Sequence, residues 1–175
     1  MSEIKLEWIG QFKNWLNNGC NYHYRYPMPV ITSDIIAWTL ELERSQSHQD
    51  GHVLLVQRAK DPYKDCWALP GGHLDVDIDE SVKHCAQREL REETKIDLPL
   101  ENFSFVNYYD KIKRDPRGRY VSFAFSCYVS NVKDIQAQDD VKDFVWKPVS
   151  ELNNLDLAFD HADMLNYWKY SKRFS

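Results

Sequence analysis

No run of apolar residues in this chain is long enough to cross a bilayer, and no secretory segment stands at the N-terminus. Cysteine is scarce. Cys20, Cys66, Cys85 and Cys127 include no C-x-x-C pair, which argues against a disulfide framework, and the six histidines show no zinc-ligand spacing. These absences read as reduced thiols in a cytoplasmic protein with no membrane partner. There is no excess of positive charge either: Lys plus Arg total 22 against 27 for Asp plus Glu, a net charge of -5 with a pI near 5.7. General nucleic-acid affinity is thereby disfavoured. An anionic substrate is not, because a bound metal ion inverts the local field. Internal repeats and low-complexity segments are also missing. The remaining composition, 43% hydrophobic and 28% charged over 175 residues, suits one soluble globular domain with a real core.

What is present is concentrated in residues 69–96, LPGGHLDVDIDESVKHCAQRELREETKI. A Pro70-Gly71-Gly72 turn leads through an acidic loop into a helical pattern from about Asp79. At ~100° per residue Val82, Cys85, Ala86 and Leu90 form an apolar stripe. Glu89 and Glu93 project into the same sector and Glu92 lies at its edge, whereas a surface helix usually turns its carboxylates to the opposite side. Carboxylates crowded toward a core need a counter-charge, and a hard divalent cation suits them better than one arginine. Glu89, Glu92 and Glu93 are therefore the candidate metal ligands. Arg88 can reach Glu92 at i+4 and hold it. RELREE alone often marks only a solvated, salt-bridged helix; LPGGH upstream and Glu80 at the right distance make that reading improbable.

Glu80, seven residues, then Arg88-Glu89-Leu90-Arg91-Glu92-Glu93-Thr94-Lys95-Ile96 resembles the Nudix hydrolase box. Two departures stand out. Seven residues rather than the usual five separate Gly72 from Glu80, an insertion that falls in a loop where it is cheap. Lys95 replaces the Gly that usually ends the helix, at a cost on the order of 1 kcal/mol if that position is left-handed. Neither change removes a carboxylate.

Along the rest of the chain, Ile4, Trp8, Phe12, Trp15 and Leu16 predict an N-terminal amphipathic helix within residues 1–20 that packs on the domain core or on a partner subunit, so a homodimer is left open. Residues 21–175 then form a single domain, entered through an aromatic, proline-held linker at 21–29. Strands are expected at 30–42, 52–59, 103–112, 120–129 and 144–148. Val53-Leu54-Leu55-Val56 reads as covered on both faces, and residues 121–127 alternate with period two. The basic turn at 113–119 reads as a solvated hairpin tip with the composition of a small anion site. Residues 136–143 form a polar loop, and a second helix opens at Leu157. These elements describe an α/β fold, an α/β/α sandwich with a mixed sheet and a central motif helix, which fits the Nudix fold that the box resembles although the element count alone does not identify it.

Tyr26-Pro27-x-Pro29 with Asp34, VQRAKDPYKDCWALPGGHLD, Asp115-Pro116-Arg117-Gly118-Arg119 and LAFDHA resemble the ADP-ribose pyrophosphatase branch, which also holds ADP-ribose-sensing transcription regulators. That resemblance implies a Mg²⁺- or Mn²⁺-dependent enzyme that cleaves ADP-ribose to AMP and ribose 5-phosphate. It implies a small-molecule nucleotide as partner rather than nucleic acid. Arg88, Glu89, Glu92 and Glu93 are the expected catalytic set, and Arg58, Gly72, His73, Arg117 and Arg119 the expected substrate contacts. The general base stays open among Glu89, Glu93, Asp139 and Asp140. His73 and His161 read equally well as structural hydrogen-bonding residues. Another nucleotide substrate (a dinucleotide, a nucleotide sugar or a nucleoside triphosphate) is the first alternative. A non-catalytic sensor is the second; the intact glutamates, and the dozen or so residues after LAFDHA, weigh against it.

Overall fold

The computed structural model describes residues 27–40, 42, 51–132 and 141–172. The expected N-terminal helix, most of the aromatic linker, and Asp139 and Asp140 lie outside them. A mixed sheet forms the middle layer, and its strands are β1 (Val30–Thr39), β2 (His52–Arg58), β3 (Trp67–Ala68), β4 (Gly71–His73), β5 (Ser104–Tyr109), β6 (Tyr120–Tyr128) and β7 (Val141–Pro148). β1 and β6 run parallel, and the other pairings are antiparallel. The main path is β3-β2-β1-β6-β5.

Strand geometry sends successive side chains to opposite faces, and both faces are filled. Ile35, Ala37 and Leu54 pack on one side with Ala86 and Leu90 of the motif helix, α1 (Val82–Thr94). Ile36, Val53 and Leu55 pack on the other with Met164, Leu165 and Trp168 of α2 (His161–Lys172). The sandwich expected from the element count is therefore the one observed. No described helix is long and apolar enough to cross a membrane.

The strand arrangement opens a fork. β1 gives its last residues to β2 (Trp38 opposite Val53, Thr39 opposite His52) but its first half to β4 (Ser33 opposite Gly72, Asp34 opposite Gly71). Farther along, β2 instead takes β3 at Val56 and Gln57. The Leu69-Pro70 turn sits in this fork, pinned where the Ile35 N–H donates to the Pro70 carbonyl at 2.8 Å. The turn thus carries Gly71 and Gly72 to the motif helix.

Several element boundaries differ from the sequence reading. α1 begins at Val82, because the Ser81 hydroxyl accepts the His84 N–H and caps the helix there. Asp79 stays in the loop, where its carboxylate accepts the Asp75 N–H and both of its oxygens take Arg88. α2 begins at His161 rather than Leu157. Leu157 bridges to Trp67, Ala158 N–H bonds the Trp67 carbonyl, and Phe159 takes a left-handed backbone with φ 55. β7 begins at Val141, since even polar Asp143 pairs across to Gln57. β6 has no wet face over its middle: Ser122 and Ala124 are as buried as Phe125 and Cys127.

Candidate active site

α1 lays Cys85, Ala86, Leu90 and Thr94 against the sheet, and that seating draws Glu89 and Glu93 inward with them. The Gly71 N–H donates to Glu93 Oε2 at 3.1 Å. Gly72 packs directly on the Glu89 carboxyl, so a Cβ there would collide with it. Backbone in the turn therefore aims both carboxylates.

Arg88 holds the outer side of this cluster. Its fork spans both Asp79 oxygens at 2.9 and 2.8 Å, Nη1 donates to Glu89 Oε1 and Glu92 Oε2 at 2.9 Å each, and Nη2 donates to the His73 carbonyl at 2.9 Å. The anticipated i+4 bond to Glu92 is present. Arg88 does not line the cavity described below; it positions the groups that do. The helix ends at Lys95, which is left-handed with φ 64 and donates its N–H to the Arg91 carbonyl. The family's preference for Gly at this position has its physical cause there.

A cavity of about 300 Å³ lies in the fork between β1, β2 and α1. Glu89, Glu92, Glu93, Gly72 and His73 border it from the motif side. Burial raises the Glu93 carboxyl to about 8; the Gly71 N–H pulls it down only in part, and the charges of Glu89 and Asp34 push it further up. Glu89 is also raised, first by burial, against the pull of Arg88. His73 sits below its ordinary range because burial and Arg117 both disfavour its cation.

A second polar wall faces the same cavity. Asp34, Arg114 and His161 line it, and all three are nearly inaccessible to solvent. The Leu69 N–H donates to His161 Nδ1 at 2.8 Å, which leaves the ring proton on Nε2, 3.4 Å from Asp34 Oδ1. Ser122 donates its hydroxyl to Asp34 Oδ2. Arg114 clasps Asp160 through Nε and Nη2 at 2.9 and 2.6 Å, with Asp34 3.9 Å away. Burial would raise Asp34, yet His161, Ser122 and Arg114 outweigh it and hold the carboxylate below its ordinary value.

The remaining expected substrate contacts divide. Arg58 lines the cavity but spends its guanidinium on its own loop, with Nε to the Pro62 carbonyl at 2.8 Å, and lies 4.9 Å from the Phe159 ring. Arg117 lines the cavity between the Tyr120 and Phe159 rings at 4.7 and 5.6 Å, with its fork on Asp115. Arg119 is not among the cavity-lining residues; its guanidinium lies on the Asp110 carbonyl and 3.8 Å from the Asp110 carboxylate. The basic turn is thus solvated only in part: Arg114 is buried on Asp160 and Arg117 reaches back to buried Asp115, while Lys113 is exposed and Arg119 pairs with Asp110 at the surface. Sequence reasoning did not assign Arg114, Asp34 or Phe159 to the site. Asp34 and Phe159 stood inside the branch motifs, while nothing distinguished Arg114 from its basic neighbours.

Hard carboxylate oxygens are the right donors for Mg²⁺ or Mn²⁺. The raised Glu93 carboxyl reflects burial and the nearby charges of Glu89 and Asp34, offset only in part by the Gly71 N–H and Arg58, and a bound divalent ion would favour its ionised form. Among the described residues no three His, Cys, Asp or Glu side chains converge into a ready-made cation site. Glu89 and Glu92 rest on Arg88 instead and would have to turn from it to share an ion with Glu93.

This architecture is found in the ADP-ribose-bound NUDIX domain of Shewanella oneidensis NrtR, a solved structure that this chain matches with a TM-score of 0.74 and 27% identity, 100% of each chain being covered. The protein belongs to the NUDIX domain family, whose model matches residues 42–168. It is 37% identical over 142 residues to the ADPR responsive transcriptional repressor NtrR of Acinetobacter baylyi, covering 80% of this chain and 53% of the repressor. It is also 37% identical over 118 residues to the ADP-ribose pyrophosphatase of Methanocaldococcus jannaschii, covering 67% of this chain and 65% of that enzyme. The chain therefore spans between half and two-thirds of the length of these curated relatives.

Proposed function

We propose that this protein hydrolyses the diphosphate of a nucleoside diphosphate derivative, with ADP-ribose cleaved to AMP and ribose 5-phosphate. The observation that carries this reading is that Glu89, Glu92 and Glu93 all border one cavity, with Glu93 oriented by a backbone N–H. Likeness to an ADP-ribose pyrophosphatase and to an ADP-ribose-bound domain supports the choice of substrate.

Glu89, Glu92 and Glu93 would hold the divalent ion. When bound, that ion supplies neutralisation of the diphosphate oxygens and acidification of a water molecule. The chain's own groups do the rest. Gly71 fixes Glu93 Oε2, and among the described residues no hydrogen bond engages Oε1, which in the ionised carboxylate would take a proton from an attacking water. Arg88 holds Glu89 and Glu92 beside the cavity, and both would turn from it to take up the ion. Arg117, stacked between two rings, keeps a guanidinium at the cavity wall.

A second reading, an ADP-ribose sensor without turnover, draws support from the repressor relative. One experiment separates the two. Incubation with ADP-ribose and Mg²⁺ is expected to release AMP, with kcat/KM above those for NADH, diadenosine polyphosphates and nucleoside triphosphates. Tight ADP-ribose binding with no AMP would establish the sensor. A tenfold preference for any other substrate would overturn the choice of ADP-ribose and leave the hydrolase reading standing.

A further inference from the structure

The Asp34 wall has a chemistry that the metal side lacks. One guanidinium, Arg114, stands among two carboxylates, Asp34 and Asp160, and a histidine whose two nitrogens are both engaged. Such a wall carries no surplus positive charge. A phosphate placed against it would bring its oxygens to Asp34 with no proton to share, and like charges in a buried site repel strongly. A hydroxyl meets it differently, since it can donate to Asp34 and accept from Arg114 at once. Arg114 has the capacity: Nε and Nη2 are committed to Asp160, and among the described residues Nη1 has no hydrogen-bond partner. Both side chains are held rigidly from behind, Asp34 by Ser122 and His161 and Arg114 by Asp160. Rigid, half-satisfied polar groups discriminate well, because a ligand without the matching hydroxyls leaves them unpaired.

The geometry points to Asp34 and Arg114 as the specificity residues for the neutral, hydroxyl-rich end of the substrate, the terminal ribose rather than a phosphate. This rests on the reading that the substrate is ADP-ribose, and it assigns that selectivity to a wall distinct from the glutamates. Asp34 is also opposite Gly71 in the β1–β4 pairing, and Gly71 orients Glu93. A ribose held on this wall therefore registers against the hydrolytic carboxylate through one backbone pairing.

The test is equilibrium binding of ADP-ribose, ADP, ATP and ADP bearing a terminal 2-deoxyribose, with Ca²⁺ in place of Mg²⁺ to slow turnover. The wild-type protein is expected to bind ADP-ribose about tenfold or more tighter than ADP, to bind ATP no tighter than ADP, and to lose most of the advantage with the deoxy ligand. Asp34→Asn is expected to weaken ADP-ribose about tenfold while leaving ADP unchanged; a merely structural role would weaken both. Equal wild-type affinity for ADP-ribose and ADP, undiminished binding of the deoxy ligand, or a preference for ATP would each overturn the assignment without recourse to a variant. AMP release, measured separately, decides the hydrolase reading. Binding with the expected profile but without AMP release would leave this inference standing and remove the other.

Discussion

Glu93 on α1, half-buried, and Asp34 on β1, buried, border one cavity, yet desolvation pushes the first up to about 8 while the second is held below its ordinary value. The difference lies in their partners. Glu93 has one backbone N–H and faces Glu89 and Asp34, whereas Asp34 has a hydroxyl, an imidazole N–H and a nearby guanidinium. A carboxyl left short of partners is open to a ligand, and a divalent cation is the ligand proposed for it. A charge already matched serves as a rigid template. On the proposed reading the two walls divide the work, one taking up a cation and the other reading shape and hydroxyls.

The sharpest way to break this comparison is to neutralise the unmatched side. Glu93→Gln and Glu92→Gln are each expected to lower turnover by on the order of 10²–10³-fold with the fold intact, because the amide keeps the shape but loses the charge that holds a cation. Near-normal rates in both variants at limiting Mg²⁺ would remove the metal assignment. Gly72→Ala acts on the same side through geometry. Its Cβ displaces the Glu89 carboxyl, and metal affinity is expected to drop about tenfold or more, read by Mn²⁺ titration. Unchanged affinity would show that Glu89 is not a ligand.

The protonated state of Glu93 makes a pH prediction for the metal-free protein. Between the ordinary carboxyl value of 4.5 and about 8 the folded chain holds a proton that the unfolded chain has lost. Stability in EDTA should accordingly be greatest below 4.5 as far as this group is concerned, and decline as pH rises through the window, by on the order of a few kcal/mol. Glu93→Gln should flatten that decline and raise Tm at pH 8. A parallel pH profile in the variant would show that Glu93 is ionised throughout. The smallest expected effect belongs to Lys95→Gly. Relief of a left-handed backbone should stabilise the fold by about 0.5–1 kcal/mol with activity unchanged, and a lower Tm would reveal a contact made by the lysine.

The motif side was legible in the residues because its spacing is local. Glu89, Glu92 and Glu93 share a helix face by arithmetic, and Arg88 reaches Glu92 across one turn. Boundaries were less legible wherever a side chain or a tertiary pairing set them, as Ser81 does for α1 and the Trp67–Leu157 bridge does ahead of α2. The basic turn misled for a related reason. Composition counts Arg114, Arg117 and Arg119 as three cations, but it cannot see that Asp160 neutralises Arg114 from 46 residues away.

What the sequence determined by itself is therefore the sandwich, the motif helix and the inward-facing glutamates, since these follow from periodicities of two and 3.6 residues and from short-range spacing. Only the tertiary structure decided that Arg88 stands behind the cavity, that Arg119 lies outside it, and that Asp34, Arg114 and His161 form one wall. Those facts depend on contacts between β1, the turn before β6 and the start of α2. Residues so distant in the chain meet through packing and burial, and local spacing carries no record of that.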